Sequence, residues 1–186
     1  MEINGRAACF LCGPRGAGKT FFAKKVMENN PEITYLNQDE LFKKKFGKIL
    51  FSKKENMLQM KNFLLQQISE LIQNSRENAK IIIDINTDNP ESRKAIILLL
   101  RHYGVNFIAC WYFITPYEQC LKWFEQKPED EKLGKWASEV LREYELYHKK
   151  ATDINFPHHL YYQGKNIPGF DMIRRVDPLN SKFSFP

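Results

Sequence analysis

The sequence predicts an α/β domain built around a mainly parallel sheet, and three observations carry that prediction. Short apolar runs rich in β-branched and aromatic residues alternate with longer helical patterns, as βαβ units do. A glycine-rich stretch, CGPRGAGKT at residues 12–20, separates the first of those runs from the first helical pattern. A length of 186 residues with 43% hydrophobic and 13% aromatic content suits one substantial core, so a single domain over 1–186 is expected.

The elements follow in order. AACFLC (7–12) is an unbroken apolar run and reads as a strand buried on both faces. Residues 19–29 form the first helix after the loop, and ITYL (33–36) the second strand. In residues 55–77, Leu58, Phe63, Leu64, Ile68, Leu71 and Ile72 recur at three-to-four spacing and predict a long amphipathic helix. KIIID (80–84) is the third strand, and ESRKAIILLLRHYG a helix stopped by Gly104, since glycine tolerates the left-handed conformation that ends helices. FIACWYFI (107–114) is the fourth strand. Helices at 117–127 and 133–147 flank the charged turn KPEDEKLGK, and DMIRRV (171–176) closes the sheet as its fifth strand.

The loop carries chemistry. Gly13, Pro14, Arg15, Gly16, Ala17, Gly18, Lys19 and Thr20 satisfy G-x-x-x-x-G-K-[ST] in its required setting between a strand and a helix. Glycines let successive backbone N–H groups turn inward around phosphate oxygens, and the following helix N-terminus adds positive charge. Lys19 then supplies a full charge to the β- and γ-phosphates of ATP or another NTP, and the Thr20 hydroxyl binds Mg²⁺. The expected architecture is therefore a P-loop NTPase fold with a five-stranded, mainly parallel sheet flanked by helices.

In such sheets ligands bind beyond the carboxyl ends of the strands, which points to Asp39 and Asp84. Asp39 follows the second strand in TYLNQDELF and is placed to take a proton from an attacking hydroxyl. It is equally suited to N-cap a helix DELFKKKF, and local sequence leaves the two roles open. Asp84 ends an apolar strand, which suits a ligand of Mg²⁺ or of its water; the plainer use is a strand-end turn. Asp84, Asn86 and Asp88 imitate the start of a calcium loop, but Asn89 replaces the required glycine and Ala95 the closing glutamate. Asn86 likewise spoils the D-x-D of a dehalogenase-type phosphatase.

Composition narrows the remaining classes. No run approaches a membrane span and the N-terminus lacks a signal pattern, so a soluble, intracellular protein, cytoplasmic or nuclear, is expected, without a membrane partner. Cys9 and Cys12 form a C-x-x-C, yet on a strand residues three apart point to opposite faces, so free thiols are expected among the four cysteines. The net charge of +6 gathers partly in FKKKFGK (42–48) with Lys53 and Lys54, a balance suited to an acidic partner and also to a solvated helix face. Phe42, Phe46 and Phe51 among those lysines offer bases a stacking platform, although core packing suits at least two of them better.

Taken together, GPRGAGKT, YLNQDEL, IIIDINTDNPESRKAI, the following HYGV and NIPGFDMIRRV resemble the kinase domain of the 5′-hydroxyl polynucleotide kinases that repair nucleic acid ends, and the wider zeta-toxin-like P-loop kinases. The resemblance spans roughly residues 7–176. It implies an adenylate-kinase-like fold with a helical lid, and ATP- and Mg²⁺-dependent transfer of the γ-phosphate to the 5′-OH end of DNA or RNA. By position it makes Lys19 and Thr20 phosphate and metal contacts, Asp39 the base, and Asp84 the aspartate of the D-x-T-N segment. Asn86 and Thr87 of that segment become substrate contacts, and Arg93, otherwise a solvated helix residue, a contact to the acceptor's phosphate.

Two departures from the family stand out. Gln38 replaces the arginine of N-R-D, and the helix after the fourth strand, CLKWFEQK, lacks the lid arginine. Lys122 and Lys127 are the lid candidates, with Arg142 beyond them; lysine lacks the planar fork of arginine. Kinases of nucleosides, sugar nucleotides or antibiotics share the P-loop frame, as would a kinase of a hydroxyl on a modified base in DNA, so the acceptor stays open among these. A nucleotide-dependent switch without turnover is the non-enzymatic reading, opposed by the presence of both Asp39 and Asp84.

Overall fold

Residues 5–47, 54–85, 90–128, 137–152, 161–162, 165–166 and 169–185 are described by a computed structural model. Five parallel strands, in the order β2-β3-β1-β4-β7, form one sheet: β1 (Arg6–Cys12), β2 (Thr34–Asn37), β3 (Lys80–Asp84), β4 (Val105–Phe113) and β7 (Met172–Val176). The helices are α1 (Lys19–Glu28), α2 (Gln38–Phe46), α3 (Lys54–Gln73), α4 (Pro90–His102), α5 (Tyr117–Glu125) and α6 (Ala137–Thr152). A two-residue antiparallel pair, β5 (Tyr161–Tyr162) with β6 (Lys165–Asn166), was not anticipated, because two residues hold no periodic signal.

The central strands read as continuous apolar runs because both their faces are covered. Alternation divides them. Ala8, Phe10 and Cys12 join Ile68, Ile72, Ile96, Ile97 and Leu100 of α3 and α4 on one face. Ala7, Cys9 and Leu11 join Phe22, Ala23 and Val26 of α1 and Cys120 of α5 on the other. Cys9 and Cys12 therefore do lie on opposite faces, and both are buried free thiols. Phe42 and Phe46 also belong to the core, with Phe63 at 6.4 Å and 5.7 Å, so neither offers a base-stacking platform; Phe51 lies outside the described residues.

The C-terminal residues extend the second face. Phe22 is fully buried, with its ring 5.1 Å from Trp111 and 5.1 Å from Phe183, and Phe185 lies 6.2 Å from Trp111. Truncating Phe22 removes a hub shared by α1, β4 and this tail. Phe22→Ala is expected to cost about 3–5 kcal/mol, measured as a lowered urea midpoint at unchanged slope.

The sheet also places the site. Neighbouring strands β1 and β3 send their helices to opposite faces, α1 to one and α4 to the other. A crevice must therefore open beyond their carboxyl ends, between Cys12 and Asp84.

Candidate active site

The loop between β1 and α1 has the backbone that its glycines permit. Gly16 (φ +77°) and Gly18 (φ +80°) are left-handed, a region costly for residues with a Cβ. Space is equally restrictive: a Cβ on Gly16 would run into the backbone carbonyl of Cys120, and one on Gly18 would stand 2.9 Å from the Trp123 ring. Gly18 caps α1 without a side chain, which leaves the first N–H groups of the helix for an anion. The Lys19 ammonium bends back to donate to the Gly13 and Pro14 carbonyls, each at 2.9 Å. Enclosure within the loop pushes its pKa down, opposed by the Asp84 carboxylate.

Across the crevice Asp84 is 7% exposed and accepts three hydrogen bonds, all on Oδ2. They come from the Tyr35 hydroxyl at 2.6 Å, Asn37 Nδ2 at 3.0 Å and the Thr20 hydroxyl at 3.1 Å. The register explains the cage: Asn37 pairs directly with Asp84, so their side chains leave the same face, and Tyr35 lies two residues back on that face. Burial, then the carboxylate, pushes the Tyr35 phenol well up, so it remains a donor. Oδ1 accepts no hydrogen bond among the described residues. A carboxylate oxygen beside a hydroxyl is the all-oxygen donor set that Mg²⁺ takes, and the left-handed Gly16 and Gly18 with the side-chain-free cap of α1 offer backbone N–H groups to an anion, so both groups fit. The residues that a strand-end turn at Asp84 would use, 86–89, lie outside the described residues.

Asp39 sits in the first turn of α2, but the cap is Asn37, whose Oδ1 accepts from Glu40 N at 2.9 Å. The capping role proposed for Asp39 thus belongs to its neighbour two residues earlier. The Asp39 side chain keeps contact with solvent at the rim of the crevice. Partial burial there, with the Asp84 carboxylate, pushes its carboxyl up from the usual aspartate range, while Arg15, Lys127 and Lys19 pull it down.

Of the two lid candidates, Lys127, just past α5, is an electrostatic neighbour of both Lys19 and Asp39, whereas Lys122 is exposed on α5. Arg15 reaches the other way as well, its Nε lying 3.0 Å from Glu143 Oε2 on α6. Arg93 is not the solvated residue expected of α4: it is 4% exposed and acts on the buried Cys110. Asn86 and Thr87 lie outside the described residues. Sequence reasoning missed Tyr35, Asn37 and Glu143; only the alternation of Tyr35 and Asn37 at the end of a strand signalled the first two.

A family model described as an AAA domain, AAA_33, matches residues 9–149, which takes in the loop, both aspartates and the Arg15–Glu143 pair. The chain belongs to the AAA_33 family. Solved structures agree on the fold of this AAA_33 domain. One, titled as a Pnkp1/Rnl/Hen1 RNA repair complex, is 20% identical with a TM-score of 0.64 over 83% of this chain and 48% of that one. The chain thus spans about half the length of that one. A shikimate kinase from Bacteroides thetaiotaomicron is 14% identical with a TM-score of 0.57, covering 96% of this chain and 91% of its own. A putative kinase from Chloroflexus aurantiacus is 11% identical with a TM-score of 0.61, covering 98% and 92%. No curated protein matches the chain. The fold of this AAA_33 domain is that of the P-loop kinases, and no described helix is long and apolar enough to cross a membrane.

Proposed function

We propose that this domain is an ATP- and Mg²⁺-dependent kinase that transfers the γ-phosphate to a hydroxyl on nucleic acid, the 5′-OH end of DNA or RNA, with Asp39 as general base. The observation that carries the proposal is the convergence at Asp39: a carboxylate open to solvent on one side and within electrostatic reach of Lys19, Arg15, Lys127 and Asp84 on the other. The acceptor oxygen bonds to the γ-phosphorus as the bond to the β–γ bridging oxygen breaks, its proton passes to Asp39, and ADP leaves. Backbone amides of Gly13–Lys19 and the Lys19 ammonium hold the phosphates; Thr20 and Asp84 are the residues that would hold Mg²⁺. When bound, the metal supplies charge against the negative oxygens of the transferring group.

A groove between β2, α2 and α3 is lined by Tyr35, Asn37, Glu40, Leu41, Lys44 and Gln67. Lys44, with Lys43 and Lys45 in the last turn of α2, suits an acceptor with phosphates along its length. Arg93 stays assigned to the acceptor's phosphate on the family resemblance. The resemblance of fold to a chain from an RNA repair complex supports a nucleic acid acceptor, and the shikimate kinase, nearly equal in length, supports a small alcohol as the second reading.

γ-Labelled ATP with Mg²⁺, offered 5′-hydroxyl oligonucleotides of both sugars and a panel of nucleosides and small alcohols, separates the two. Label on an oligonucleotide is the expected result; label only on a small alcohol moves the acceptor to the second class.

The raised Asp39 carboxyl gives a pH signature. A base must be ionised to accept a proton, so kcat/KM falls as the pH drops through the Asp39 pKa, and this acid limb lies above the ordinary aspartate value of about 3.9. Lys127 holds that pKa down, so Lys127→Met is expected to move the limb to still higher pH in a pH–rate profile.

A further inference from the structure

We infer that Arg15, gripped by Glu143 of α6, is the arginine that neutralises the phosphoryl group in flight, a task for which α5 supplies no guanidinium. The inference rests on the kinase reading above. A phosphoryl group in transfer spreads negative charge over three equatorial oxygens, and a guanidinium placed there is worth about 10³–10⁵ in rate in phosphate-transferring enzymes.

The structure narrows the source of that charge. Three cations act on Asp39, and of these Lys19 belongs to the phosphate cradle and Lys127, just past α5, carries a compact ammonium without the planar fork. Arg15 is the arginine among them. It is rooted in the loop that encloses the phosphates, and its charge acts on Asp39, the base of the proposed reaction. Its ion pair with Glu143 is 3.0 Å long, and the two side chains are 25% and 29% exposed, sheltered enough to hold a fixed geometry. The grip is on Nε, and a guanidinium held there keeps four N–H donors on its terminal nitrogens for phosphate oxygens. Among the described residues, no hydrogen bond occupies those donors. Glu143 is thus a positioning residue that fixes the fork from a helix distant in sequence.

The test uses the full chain and a mimic of the transferring group, ADP with Mg²⁺ and aluminium fluoride, which needs no knowledge of the acceptor. The parent is expected to bind ADP with aluminium fluoride at least about 10²-fold more tightly than ADP alone. Arg15→Ala should lose most of that gain with ADP affinity and thermal midpoint unchanged, and should lose about 10³ in kcat. Arg15→Lys should not recover it, for want of the fork, whereas free guanidinium should partly restore Arg15→Ala. Glu143→Gln should cost about tenfold to a hundredfold in kcat at constant KM for ATP, as misplacement does. A parent that gains nothing from aluminium fluoride, an Arg15→Ala that keeps the gain, or a loss of ADP affinity equal to the loss of rate overturns the inference. Failure to label any oligonucleotide with the aluminium fluoride difference intact refutes the nucleic acid acceptor and leaves Arg15 in its role.

Discussion

Asp39→Asn is expected to lower phosphate transfer by about 10²–10⁴-fold while leaving ATP affinity and folding nearly intact. The substitution preserves shape and removes only the ability to take a proton. It separates chemistry from structure at this position because Asn37, not Asp39, caps α2 through its bond from Glu40 N. The helix keeps its cap, and the lost charge in its first turn costs no more than about 0.3–1 kcal/mol. Initial rates with labelled ATP, beside nucleotide binding by titration and a thermal melt, check all three. A rate within threefold of the parent would remove Asp39 from the mechanism.

The second large effect is expected at Asp84, where stability and activity fall together. Asp84→Ala leaves Tyr35, Asn37 and Thr20 donating to empty space, and each stranded donor costs about 1–3 kcal/mol when water cannot reach it. Thr20 is exposed and turns to solvent, so a loss of about 2–6 kcal/mol is expected from the part-buried pair. Asp84→Asn replaces Oδ1 or Oδ2 by an amide NH2 group whose hydrogens oppose those donors or point at the position proposed for Mg²⁺. Phosphate transfer in Asp84→Asn should fall at least about 10²-fold, with the Mg²⁺ concentration for half-maximal rate rising. Urea denaturation and a Mg²⁺ titration of the rate measure the two effects; an unchanged Mg²⁺ requirement would place the metal elsewhere.

What was legible in the sequence was whatever one segment determines by itself. The loop, the strand before it and the helix after it occupy adjacent residues, so their chemistry and setting were read together, and Asp84 stood out because an apolar strand ended in a carboxylate. The cage around that carboxylate depends on β2 lying beside β3 in the register that pairs Asn37 with Asp84, and no local pattern encodes a register between distant strands. Arg15 and Glu143 meet only because α6 returns to the loop. Lys127 rather than Lys122 faces the site because α5 ends at Glu125 and releases the chain there. Arg93 looked like one more polar residue on an amphipathic helix, and only the packing of α4 over the sheet buries it.

The central place of β1 in the sheet governs when the phosphate cradle can exist during synthesis. Ala7 pairs with Lys80 on one side and with Phe107 on the other, so β1 has no partner until β3 is made and keeps one edge open until β4 follows. Until β3 is made, AACFLC is an apolar segment with both edges open, the kind of species that invites chaperone capture or self-association. A nascent chain halted before β4 should therefore be unable to retain nucleotide, because the strand beneath the loop still has one edge open.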